Sequence, residues 1–118
     1  MRFIRFPLDV LDRTPFESSA PNPERLIVGA PAFRTWTFEE SADGKIFAGV
    51  WESTPGKWRI IYNEWECCSI LSGVSVITRD NEAPQRVIAG DAFVIQPGFA
   101  GTWEVVETTR KLFVVRID

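Results

Sequence analysis

One acid stands among apolar and aromatic residues in the run Glu64-Trp65-Glu66-Cys67-Cys68-Ser69-Ile70-Leu71-Ser72-Gly73. That acid, Glu66, is the candidate catalytic residue, since a carboxyl group in a mostly apolar setting is suited to proton transfer. Arg59 and Lys111 are the candidate cations around it, Cys68 is a thiol two residues on, and Trp51, Phe99, Trp103 and Phe113 are candidate aromatic walls. Aromatic walls with a few convergent polar groups are the usual lining of a small-molecule site. The chain has no histidine. That excludes a Ser-His-Asp triad, a Cys-His pair and every zinc or iron site that needs imidazole. Cys68 as a nucleophile then depends on a neighbouring Lys or Arg to lower its pKa.

Strands must carry these residues. The chain reads as nine or ten short strands separated by turn signals such as Ser41-Ala42-Asp43-Gly44, Thr54-Pro55-Gly56-Lys57, Asp80-Asn81-Glu82-Ala83-Pro84 and Gln96-Pro97-Gly98. No segment holds a helical apolar period, so the spacing predicts an all-β sandwich or barrel. Period-two alternation then sorts faces. If Glu66 points inward, so do Cys68 and Ile70. Trp103 and Val105 share a face, as do Lys111, Phe113, Val115 and Ile117, and Phe47, Gly49 and Trp51. Gly73, Gly90 and Gly98 read as turn glycines with positive φ, Gly73 ending the strand that carries Glu66.

The 118 residues predict one barrel domain over 33–118, preceded by an arm over 1–32 with prolines at 15, 21, 23 and 31. Residues 1–8 read as a short edge strand. Thirteen basic and sixteen acidic residues give a net charge of −3 with no basic cluster, which disfavours nucleic acid as a partner. No apolar run suggests a signal peptide or a membrane span, so the expected location is cytoplasmic. Adjacent Cys67 and Cys68 point to opposite strand faces and are expected to be reduced thiols.

The two glycine-bounded stretches resemble the cupin family. Gly56 followed by Glu66 and, after six residues, Gly73 matches the first motif; Gly90, Gln96-Pro97-Gly98 and Gly101 match the second. The runs Gly49–Lys57, Gly98–Val105 and Glu107–Lys111 are similar to the short cupins of the ureidoglycine aminohydrolase type and the ethanolamine-utilisation type. The resemblance spans about residues 45–117. It implies a cupin-type jelly-roll β-barrel (a double-stranded β-helix), and a homodimer paired through barrel faces and arms. It also implies metal-ligand positions at Arg59, Ile61, Glu66 and Gly101. Only Glu66 of these is a donor that binds metals, so no metal and no other cofactor is expected.

Two functions follow. One is a metal-independent isomerase, lyase or amidohydrolase-like enzyme that holds a small polar metabolite in the barrel, with Glu66 as acid/base. The other is a non-catalytic binding or assembly module, in which Glu66 is a structural acid paired with Arg59 or Lys111 and the tryptophans are core. A residual metal site from Glu66, Cys68 and Gln96 is a third reading.

Overall fold

The computed structural model describes residues 1–118. Nine strands follow a 3-10 segment at Leu8–Arg13: β1 Glu17–Ser19, β2 Leu26–Gly29, β3 Phe33–Glu40, β4 Ile46–Ser53, β5 Gly56–Ile61, β6 Trp65–Arg79, β7 Gln85–Ile88, β8 Ala92–Ile95 and β9 Ala100–Arg116. All pairings are antiparallel. Residues 1–7 form no strand, against the sequence expectation.

The sheet curls because two strands are long enough to serve both of its halves. β9 pairs β4 through residues 109–116 and β5 through 100–105, while its other edge pairs β6 along most of its length. β6 in turn carries β8 beside residues 66–69 and β7 beside 74–77. One half is therefore β1-β3-β4-β9-β6-β8 and the other β2-β5-β9-β6-β7. Trp51 on the first half meets Trp58 and Trp103 on the second, with ring centroids 6.0 and 5.5 Å apart. Side chains from two facing halves interdigitate in this way in a β-sandwich core.

Both long strands bend at Gly73. The sequence reads this glycine as the end of a strand. The structure makes it a bulge inside one, with φ +88° and register shifts between Ile70 and Ser75. The backbone of β9 passes so close that a Cβ at Gly73 would sit 2.1 Å from the Thr108 carbonyl oxygen. The segment Glu107–Arg110 is continuous strand for the same reason. Gly90 and Gly98 take the positive φ expected of them, +95° and +93°.

The arm packs on the outside of the first half. Leu11, Trp36 and Val50 form a small core there, with Phe38 and Leu71 against it. Trp36 Nε1 donates to the carbonyls of Leu11 and Thr14 at 3.1 and 3.0 Å. A charge cluster closes this contact: Arg34 grips Glu52 with two hydrogen bonds at 2.8 and 2.9 Å, Arg110 adds one at 2.7 Å, and both arginines reach Asp12 on the arm. Burial pushes the Glu52 carboxyl up, and its hydrogen bonds and charge pairing with Arg34 and Arg110 reverse this and hold it below the usual 4.5. A carboxyl lowered on folding contributes stability that is present above its unfolded pKa and lost as pH falls through the folded value. Docking of the arm will therefore be full at neutral pH and weaken below about pH 4.5. Limited proteolysis within residues 1–20, followed across pH 3–7 with an acid-active protease, measures this. Cleavage in Glu52→Gln is expected to be faster at neutral pH and to respond less to acid.

Candidate functional site

The inward face of β6 is Glu66, Cys68 and Ile70, all buried, as alternation predicts. Glu66 lies between Ile95 of β8 and Val115 of β9, so neither of its neighbours in the sheet offers a charge. Its partner comes from along the barrel. Lys111 stands opposite Ile70 on one side and Trp51 on the other, and its ammonium lies 3.0 Å from Glu66 Oε2. The same ammonium sits 4.6 Å from the Trp51 ring centroid and 4.5 Å from that of Trp103. Both distances are within cation–π range. Burial drives the Lys111 pKa down, but the charge of Glu66, the hydrogen bond to it and the neighbouring Cys68 and Glu64 together outweigh this and leave it raised above 10.5. The side chain is a cation.

The other oxygen of Glu66, Oε1, accepts from the Tyr62 hydroxyl at 2.5 Å. Tyr62 directly follows β5 and is held by the Gln96-Pro97-Gly98 turn: its N–H donates to the Phe99 carbonyl (2.9 Å) and its own carbonyl accepts from Gly98 N–H (2.7 Å). Phe99 meets its ring edge-on at 6.3 Å. Burial and the adjacent Glu66 charge raise the Tyr62 pKa well above 10, so it acts as a donor. Burial likewise pushes the Cys68 thiol up, to about 12, which outweighs the help from Lys111. A protonated, buried thiol is a poor nucleophile. Phe113 pairs Cys68 across the strand and packs inward beside it.

Trp103 is fixed by a buried relay. Its Nε1 donates to Ser75 Oγ (3.1 Å), Ser75 and Thr109 share a hydrogen bond of 2.7 Å, and Thr109 Oγ1 donates to the Glu107 carbonyl (2.8 Å). This relay spans the Gly73 bulge, so the bend in the two long strands also aims the ring that faces Lys111.

Two expectations need correction. Arg59 does not enter the barrel. Trp58, Ile60 and Tyr62 are the inward residues here, and Arg59 faces outward with both guanidinium nitrogens on Asp80. A one-residue offset in strand parity turns each side chain over. The second correction concerns the pocket expected around Glu66. No cavity is lined by Glu66, Lys111, Trp51 or Trp103. The Lys111 stem occupies that space, and no buried side-chain polar atom lacks a partner.

The open space lies in surface clefts instead: a larger one of about 380 Å³ lined by Ile77, Val87, Phe93, Ile95 and Phe99 among others, and one at the mouth. The mouth cleft, of about 290 Å³, runs between Phe33 and the Trp58–Tyr62 segment, walled by Ala20–Asn22 and Arg25 of the arm and bounded by Arg59 and Glu64. Tyr62 is common to the cleft and the buried acid. Sequence reasoning missed Tyr62 as a site residue, although counting by twos from Trp58 places it inward.

The residues present do not fit a metal. Ile60 and Tyr62, not Arg59 and Ile61, face the barrel. A side chain at Gly101 would meet the Thr78 carbonyl oxygen 2.0 Å from its Cβ. Glu66 already has a cation on one oxygen and a hydroxyl on the other, Gln96 is exposed, and no three Cys, Asp or Glu side chains converge. No helix is long and apolar enough to cross a membrane.

Comparison with known proteins agrees with this architecture. No curated protein sequence matches the chain. A protein of unknown function of the DUF861 family from Pseudomonas syringae superposes with a TM-score of 0.79 at 24% identity, over 86% of this chain and 44% of that one. The EutQ protein of Clostridium difficile gives 0.63 at 16% identity, over 73% and 63%. A putative ethanolamine utilization protein Q from Salmonella typhimurium gives 0.63 at 17% identity, over 86% and 94%. The chain thus spans less than two thirds of the first two proteins. At these identities the likeness is one of fold. The family model described as the EutQ-like cupin domain matches residues 40–113, the segment that builds both halves of the barrel and the Glu66–Lys111 pair, and the chain belongs to that family.

Proposed function

We propose that this protein is a metal-independent cupin that binds a small polar molecule at the mouth of its barrel. The observation that carries the reading is the cleft beside Trp58 and Tyr62, whose floor is tied to a buried ion pair through the Tyr62 hydroxyl. Its volume of about 290 Å³ is near the lower end for ligand pockets, which suits a metabolite better than a cofactor. Arg25 at the rim and Glu64 beside it are in none of the ion pairs, so a ligand with a carboxylate, an amine or both finds counter-charges there.

Acid/base turnover of the isomerase, lyase or amidohydrolase type at Glu66 is the less supported version. It requires the substrate to displace Tyr62 or Lys111 from a carboxylate oxygen. A thermal-shift screen of small acids, amines (ethanolamine among them), ureides and sugars tests the reading, because a ligand that binds only the folded state raises the melting temperature. A hit weakened by Arg25→Ala or Glu64→Gln supports the cleft. A hit indifferent to both but lost in Glu66→Gln moves the ligand into the barrel and revives turnover. The absence of any hit favours a non-catalytic assembly module, for which the filled interior around Lys111 is the supporting observation. Sedimentation then reads the homodimer that this module implies.

A further inference from the structure

We propose that the Lys111 ammonium is the resident cation of this barrel, held in a preformed cage that recognises primary alkylammonium groups and, in the native chain, is filled by the protein's own side chain. The inference rests on the geometry of the interior and not on the cleft at the mouth.

The cage has three walls. Glu66 Oε2 faces the ammonium at 3.0 Å. The Trp51 and Trp103 rings face it at 4.6 and 4.5 Å. One carboxylate and two indole faces are the donor set that selects an ammonium ion over a transition metal, since a metal requires several hard or soft lone-pair donors. Each wall is fixed by something other than Lys111. The Tyr62 hydroxyl holds the second oxygen of Glu66. Ser75 and Thr109 hold Trp103. Phe33, Trp58 and Trp103 pack around Trp51. The cage is thus organised independently of the side chain that occupies it, which is what distinguishes a binding site from a pair of side chains that found each other.

The inward residues at and just after the end of β5, which flank the pattern's Arg59 and Ile61, and the pattern's Gly101, offer no further metal donor. Ile60 is apolar, the Tyr62 hydroxyl is spent on Glu66, and Gly101 is backed by the Thr78 carbonyl. The barrel therefore keeps a positive charge at its acid without taking one from solution.

Lys111→Ala deletes the propylammonium fragment and leaves the walls in place. In this variant, n-propylammonium chloride is expected to raise the melting temperature by several degrees, whereas n-propanol and sodium chloride at equal concentration leave it unchanged. None of the three should shift the wild type comparably. Equal rescue by propanol would reduce the effect to the filling of a void and overturn the proposal, as would no rescue of a folded variant. The wild type offers a test that does not depend on the variant folding. In ¹⁵N-labelled protein near neutral pH, the Lys111 ammonium protons are expected as a slowly exchanging signal displaced upfield by the two indole rings. An ammonium in rapid exchange at the unshifted position of surface lysines would overturn the proposal. Either failure leaves the cleft reading standing, because ligand binding beside Arg25 and Glu64 is measured separately.

Discussion

Lys111→Met will lower the folding free energy by about 3–5 kcal/mol, and adding Glu66→Gln to the same chain will recover most of that loss. Methionine matches the lysine stem in length and keeps the interior filled, so the loss is not one of volume. It strands the Glu66 carboxylate, 5% exposed, with no counter-ion. Removing one partner of a buried pair is far costlier than replacing both by neutral groups of similar shape. Urea denaturation of the two single variants and the pair measures this. A single-variant loss below about 1 kcal/mol, typical of a surface pair, would mean that the ion pair is hydrated.

The alkaline limb of stability follows from the same cluster. Lys111 and Tyr62 are raised above 10.5 and 10.0, and Cys68 is raised from 9.0 to about 12. A group raised on folding contributes stability that is whole below its unfolded pKa and lost as pH rises through the folded one. Wild-type stability will fall from about pH 9 upward, and Lys111→Met will lose the lysine share of that fall.

Gly73→Ala will cost about 3 kcal/mol or more, because left-handed strain and a backbone collision act together. The residue sits at φ +88° and its added Cβ would meet the Thr108 carbonyl oxygen at 2.1 Å. Backbone offers no rotamer by which to yield. Gly90→Ala is the control: φ is +95°, but no atom lies within 4 Å of its Cβ, so only the strain of about 1 kcal/mol remains. Calorimetry should show a drop of roughly 10 °C or more for Gly73→Ala and a few degrees for Gly90→Ala. Equal drops would mean that β9 shifts to admit the methyl group.

Much of the interior was legible in strand alternation alone. Glu66, Cys68, Trp103, Lys111 and Phe113 all face the core as counting by twos places them. Arg59 was misplaced because its face was taken from a motif count, when Trp58 sets the parity of β5. Gly73 shows a different limit. A positive φ is written in one residue, but whether a strand ends there or bends depends on the distant Glu107–Arg110 segment of β9 continuing beside it. The filled pocket was hidden for a similar reason. That Lys111 points inward is local; that its ammonium reaches Glu66 follows from the pairing of Ile70 with Lys111 across two strands.

The central place of β9 in both halves also sets the order of assembly during synthesis. β4, β5 and β6 each take one of their edges from it, yet it leaves the ribosome after all three. Until residues 100–116 emerge, those strands expose unpaired backbone, and such edges invite pairing with other chains. Before then the chain can form only the pairings that do not need β9, namely β1-β3-β4, β2-β5 and β7 and β8 on β6, and the barrel closes when the indole of Trp103 and the cation of Lys111 arrive together on the last strand.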